Sequence, residues 1–192
     1  MTTRTIYILL TNTGTVFTRL IGLCSQRPYN HCSIAFDINL NELYSFGRRK
    51  PRNPFIGGFV REYIRSGLYA LRQGTLCSLY EFEVTAEQYE LIQRNVREFE
   101  GEKDKYSYSL IGVMGVALKT PVNRKYSYFC SQFIATVLER SGVCLFDKPA
   151  GLVAPEDFRQ HPKARMVYEG VLAEYPAGQP VGCTSMRSDR RF

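Results

Sequence analysis

One histidine early in the chain and one cysteine late in it constrain the fold more than any other feature. Tyr29-Asn30-His31-Cys32-Ser33-Ile34-Ala35-Phe36-Asp37 puts His31 at the head of an expected strand. About a hundred residues later, Tyr128-Phe129-Cys130-Ser131-Gln132-Phe133 opens an apolar-striped stretch with helical spacing. A thiol–imidazole enzyme needs those parts: a thiolate held at a helix N-terminus, and an imidazole that takes and returns its proton. The order, histidine first and cysteine second, limits which folds can bring them together.

The chain has 192 residues, enough for one sizeable core and too few for two ordinary domains. With 44% hydrophobic and 22% charged residues it reads as a globular chain rather than a disordered one. Residues 1–172 read as a single domain and 173–192 as an irregular basic tail. The net charge of +7 gathers at Arg48-Arg49-Lys50-Pro51-Arg52 and at Arg187, Arg190 and Arg191. These clusters either favour anionic partners or are solvated loop and tail charge. Nucleic acid is not an expected partner, because the acidic stretch from Glu81 to Asp104 interrupts any basic stripe and no recognition motif occurs.

The six cysteines stand at 24, 32, 77, 130, 144 and 183, without a CxxC pair and with only two histidines in the chain. Zinc-ligand spacing is missing, so neither a metal nor a cofactor is expected. The longest uncharged runs fall short of the roughly 18 residues of a membrane span, and no signal-peptide pattern opens the chain. The expectation is a cytoplasmic protein with reduced thiols.

Residues 4–11 read as a strand and 14–25 as a helix carrying Val16, Phe17, Leu20, Ile21 and Cys24. Residues 31–37 alternate, with His31, Ser33 and Ala35 on one face and Cys32, Ile34 and Phe36 on the other. Asn39-Leu40-Asn41 turns the chain into a second strand, Glu42–Phe46. Residues 47–58, rich in Gly, Pro and Arg, read as a long basic loop beside the site. Residues 75–84 read as a strand, and Thr85-Ala86-Glu87-Gln88 has the form of a capping box. The helix after it shows Tyr89, Ile92, Val96 and Phe99 on one stripe. Tyr106–Leu118 is ambiguous and Lys119–Lys125 is a loop. Residues 128–140 form a helix stopped by Ser141-Gly142. A short helix at Pro155–Phe158 and a last strand at Ala164–Tyr168 follow. The total is an α+β domain with an antiparallel sheet.

Ser127 is the expected N-cap of the cysteine helix, which makes Cys130 its third residue. Free amides and the helix dipole there lower a thiol pKa, and the Cys130 N–H is placed to bind an oxyanion. Cys130 also shares a stripe with Ile134 and Val137, so a small core residue is the competing reading. His31 reads as a site residue at a sheet rim or as a hydrogen-bonded turn histidine. His161 lies in a polar turn and reads as a surface residue. Cys24, Cys32, Cys77 and Cys144 read as core and Cys183 as tail.

These segments resemble the circularly permuted papain-like cysteine hydrolases, relatives of the NlpC-type cell-wall peptidases and of lecithin–retinol acyltransferase. In that group a His-x-Ser/Gly-Ile strand comes first and a helix opening with Cys-Ser-x-Phe/Leu comes later. Here they are His31-Cys32-Ser33-Ile34 and Cys130-Ser131-Gln132-Phe133. Tyr44-Ser45-Phe46-Gly47-Arg48 with Asn53-Pro54-Phe55-Ile56-Gly57-Gly58-Phe59 resembles a signature of an uncharacterised bacterial branch. The resemblance implies a permuted papain-like fold, a Cys130 nucleophile and a His31 general base. It implies a polar residue on the strand after the histidine strand, which falls near Tyr44 or Ser45, with Glu42 at that strand's start. Arg48, Arg49, Tyr29 and Tyr128 are the expected substrate-binding residues.

Three functions remain in view. The first is a cysteine hydrolase of amide or thioester bonds. The second is acyl transfer from a lipid-like or thioester donor through the same acyl-enzyme. The third is a catalytically weak binding module on the same fold. The expected partner is a small-molecule, peptide or lipid-like acyl substrate with anionic character.

Overall fold

The computed structural model describes residues 2–12, 28–50, 53–117, 120 and 124–177. The expected helix at 14–25, with Cys24, and the end of the tail, with Cys183 and its arginines, lie outside the described residues.

Six strands make one antiparallel sheet in the order β4-β3-β2-β1-β5-β8. They are β1 (Thr3–Asn12), β2 (His31–Ala35), β3 (Leu43–Lys50), β4 (Asn53–Glu62), β5 (Leu76–Thr85) and β8 (Arg165–Val171). Two two-residue strands, β6 (Ser107–Tyr108) and β7 (Ser127–Tyr128), pair in parallel beside it. Five α-helices are described: α1 (Gly67–Ala70), α2 (Ala86–Gly101), α3 (Leu110–Ala117), α4 (Cys130–Arg140) and α5 (Pro155–Gln160). The α+β class with an antiparallel sheet is as expected.

Strand alternation divides the core into two clusters. Cys32, Ile34 and Phe36 join the cluster that holds α2 and α4, while Ala35 joins the one on the opposite face. Tyr89, Ile92, Val96 and Phe99 of α2 pack there against Phe133 and Val137 of α4. Phe46, Phe59, Phe99 and Phe133 meet ring to ring, with centroids 5.1–6.4 Å apart. Such edge-to-face and offset contacts add to the area they bury. The capping box starts α2: Thr85 Oγ1 accepts from the Gln88 N–H, and Gln88 Oε1 accepts from the Thr85 N–H. Gly142, with φ of +71°, ends α4, a conformation that glycine adopts without a Cβ penalty. The chain stays packed past residue 172: Leu172–Glu174 is a 3-10 turn, and buried Tyr175 donates to the Ile38 carbonyl at 2.6 Å.

The segment 47–58 corrects an expectation. Its described residues, 47–50 and 53–58, belong to the paired strands β3 and β4, with Gly47 opposite Gly58 and Arg48 opposite Gly57. The glycines leave the backbone free to pleat, and β4 is the sheet edge, where a proline such as Pro54 does not break a ladder on both sides. Two cysteine and histidine readings also change. Cys144 is exposed, not core. His161 is half-buried: its Nε2 lies 3.0 Å from the Leu145 carbonyl and its ring packs on Phe82 and Phe146.

Candidate active site

The strand that starts at His31 runs beneath the first turn of α4. Phe129 is the N-cap and Cys130 the first helical residue, two positions nearer the end than a Ser127 cap implies. Ser127 instead pairs in β7, which sets the entry angle of the chain into α4. Nearly every residue from Cys130 to Leu138 is buried, as befits a helix wrapped by its own domain. Ser131 fixes the start of the helix by donating to the Val153 carbonyl at 2.6 Å. The amides of the first turn have no acceptor inside a helix, and the dipole adds positive potential at the sulfur.

Cys130 is 3% exposed and surrounded by donors. Its thiol is held well below the ordinary cysteine value, first by a hydrogen bond from the Cys32 thiol. Burial opposes ionisation, but the hydrogen bond and charge of His31 and the Cys32 backbone N–H add to the lowering. The Tyr108 hydroxyl also bonds to Cys130. A buried anion survives only with such compensation.

His31 is fixed from its other side. Glu62, the last residue of β4, holds Oε1 3.0 Å from His31 Nε2. The pair is mostly shielded, with side-chain exposures of 17% and 14%. Burial works against a charge on His31, but the Glu62 carboxylate and the contacts with Cys130 raise its pKa to about 10. Burial pushes the Glu62 carboxyl up, and the His31 charge and hydrogen bonds outweigh it, so the carboxyl ends below its usual range. Three hydroxyls also donate to Glu62: Ser33 at 2.5 Å, Ser45 at 2.9 Å and Tyr69 at 3.2 Å. These shifts favour a thiolate–imidazolium pair backed by an anchored carboxylate.

The expected orienters separate. Ser45 is buried and reaches His31 only through Glu62. Tyr44 points the other way, stacked on Phe59 with Arg61 over its ring. Strand alternation makes this unavoidable, since neighbours on β3 face opposite sides. Glu62 was missed because its place depends on the β3–β4 register, in which it opposes Leu43. The run Phe59-Val60-Arg61-Glu62, placed against Leu43–Phe46 as a hairpin partner, was the signal available for it.

The expected binding residues also divide. Tyr29 is buried and donates to Glu169 at 2.8 Å, which makes it a structural residue. Arg49 donates to the Lys103 carbonyl and to the Tyr106 carbonyl, and pairs with Asp104, so it ties β3 to the turn before β6. Arg48 is part-buried, and burial first and then the nearby Arg72 charge lower its pKa, while Tyr108 raises it. Arg72 and Tyr108 are thus the charged and phenolic groups near it. Tyr128 packs on Phe46 and Phe99 and lines a cavity of about 430 Å³ with Arg124, Lys125, Gln132 and Glu139, whose lining does not include Cys130.

Tyr108 was not singled out by sequence. Its approach depends on Gly57, where an added Cβ would stand 2.7 Å from the Tyr108 Cβ and 2.9 Å from the Gly47 carbonyl oxygen. Among the described residues, no group of three or more His, Cys, Asp or Glu could hold a metal ion, and no helix is long and apolar enough to cross a membrane. No family model matches the chain, and the searches of curated proteins and of solved structures gave no match either.

Proposed function

We propose that this protein is a cysteine hydrolase of amide or thioester bonds, built as a permuted papain-like domain and working in a reducing, cytoplasmic setting. One observation carries the reading: a buried carboxylate 3.0 Å from the Nε2 of a histidine that also lowers the pKa of a helix-start thiol. A polar group against His31 favours an enzyme over a binding module, because a binding surface has no use for an oriented imidazolium.

The Cys130 thiolate attacks the carbonyl carbon, and the sulfur–carbon bond forms as the carbonyl becomes an oxyanion. The Cys130 N–H and the Tyr108 hydroxyl, released from the sulfur as its charge moves away, stabilise that oxygen. His31 passes its proton to the leaving amine or thiol. The neutral imidazole then deprotonates the incoming acceptor, and Glu62 keeps the ring oriented throughout. Arg48 favours an acyl substrate with an anionic group. Acyl transfer is the second reading: the 3% exposure of Cys130 suits an alcohol or amine that fills the site and captures the same acyl group in place of water.

The test is incubation of the purified chain with chromogenic aryl esters and thioesters, with and without amine acceptors, followed by mass spectrometry of the intact protein. The expected result is an acyl adduct on Cys130 that wild type turns over and that His31→Ala does not. Absence of any Cys130 adduct, with other thiols acylated instead, overturns the reading.

A further inference from the structure

Cys32 forms and breaks no bond in the chemistry above, where it only helps to lower the Cys130 pKa, yet it faces the nucleophile. β2 alternation aims it at α4, it is fully buried, and it shares one core cluster with Cys130. Both are free thiols. Each thiol shifts the pKa of the other, Cys130 down and Cys32 up, which fits two neighbouring sulfurs in the cluster where β2 packs against α4. An apolar side chain of similar size would serve the packing equally well. We propose that Cys32 and Cys130 form a reversible-oxidation site, in which a hydroperoxide oxidises Cys130 and Cys32 captures it as an intramolecular disulfide.

The chemistry balances. The Cys130 thiolate attacks one peroxide oxygen and the O–O bond breaks. Cys130 becomes a sulfenic acid, and the departing alkoxide or hydroxide takes the His31 proton. The Cys32 sulfur then attacks the Cys130 sulfur, the S–OH bond breaks, and the hydroxide leaves as water with the Cys32 proton. Two electrons pass from the pair to the peroxide. A sulfenic acid in a closed site without a nearby thiol goes on to sulfinic acid, which thiols do not reverse. Cys32 removes that fate by offering a second thiol in the same buried cluster, with which Cys130 closes a bond of about 2.05 Å.

This proposal concerns regulation of the thiol invoked under the proposed function, and it rests on that assignment of Cys130. The experiment treats the reduced full-length chain with hydrogen peroxide, then maps peptides under non-reducing conditions and measures iodoacetamide labelling before and after dithiothreitol. Wild type should give a Cys32–Cys130 linked peptide, lose Cys130 labelling, and regain it with dithiothreitol. Cys32→Ser should give no link, and its Cys130 should proceed to sulfinic acid and stay unlabelled after dithiothreitol. Cys32→Ala, which keeps the site apolar, serves the same comparison if the serine variant does not fold. Irreversible oxidation of wild-type Cys130 as fast as in the variants, or a link to exposed Cys144 instead, overturns the proposal. Acyl-probe labelling of the untreated protein separates this outcome from failure of the hydrolase reading, since it needs no oxidant.

Discussion

Glu62 Oε1 stands 3.0 Å from His31 Nε2, although the two residues are 31 positions apart and on strands that do not pair with each other. β3 lies between β2 and β4, and its Ser45 bridges them by donating to the same carboxylate oxygen. The imidazolium is thus held from the sheet edge across a whole strand.

That arrangement sets the pH range of thiol reactivity. The reactive pair exists above the depressed Cys130 pKa and below the His31 value of about 10. Iodoacetamide labelling of Cys130 should therefore change little between about pH 6 and about pH 9, where an ordinary thiol gains reactivity steeply. Glu62→Gln removes the charge that raises His31, so labelling at neutral pH should slow and its rise should shift to higher pH. Equal profiles for wild type and the variant, measured by stopped labelling and mass spectrometry, would contradict the role given to Glu62.

Stability should carry the same signature with a defined sign. The Glu62 pKa is lowered on folding, so its contribution is present above the unfolded value and is lost as pH falls through the folded one. The His31 pKa is raised, so its contribution is full below the unfolded value of about 6.5 and is lost as pH rises toward about 10. His31→Ala leaves Glu62 buried without its counter-ion and should cost about 3 kcal/mol at neutral pH by urea unfolding. The deficit should shrink in acid, where protonated Glu62 needs no partner. A deficit that grows on acidification would reverse this assignment.

Gly57→Ala tests Tyr108 from behind. The new Cβ meets a Tyr108 Cβ at 2.7 Å and a backbone oxygen at 2.9 Å, neither of which is the end of a flexible chain. The tyrosine must retreat, at a cost of about 1–3 kcal/mol in stability. If its hydroxyl serves the oxyanion, Gly57→Ala and Tyr108→Phe should lower acylation of Cys130 to a similar degree, about a hundredfold. Normal acylation in Tyr108→Phe would leave the phenol a packing role alone.

The two arginines of the hairpin should behave differently. Arg48→Gln should weaken labelling by an anionic acyl probe more than by a neutral one, with the difference shrinking at high salt. Arg49→Gln loses its bonds to the Lys103 and Tyr106 carbonyls, so it should lower the thermal midpoint and treat both probes alike. Identical probe preference in wild type and Arg48→Gln would remove the anionic-substrate proposal.

How much of this was legible in the chain varied with how local each determinant is. The Thr85–Gln88 capping box, the α2 stripe and the alternation of residues 31–36 are patterns within a few residues, and the structure agrees with them. His31 at a strand head and Cys130 at a helix start were legible for the same reason, since each motif announces its own element. Glu62 and Tyr108 were not. Glu62 reaches the site only through the β3–β4 register, and Tyr108 only because Gly57 clears its path. The pairing of β3 with β4 was hidden because glycine and proline are the same letters that mark loops. Tyr44 and Ser45 were taken together, although a pleated strand can offer only one of two neighbours to the site.

The groups that would ionise the thiol come from β2, the end of β4, β6 and the start of α4. None of them alters a cysteine alone. In a chain still emerging from the ribosome, Cys130 is an ordinary thiol, mostly protonated at neutral pH and slow to react. Its nucleophilicity arises only when the sheet has closed from its edge to its centre and the helix has docked on it. Cys130 therefore stays slow to react throughout synthesis, and the rate at which it reacts is a clock for the completion of the fold.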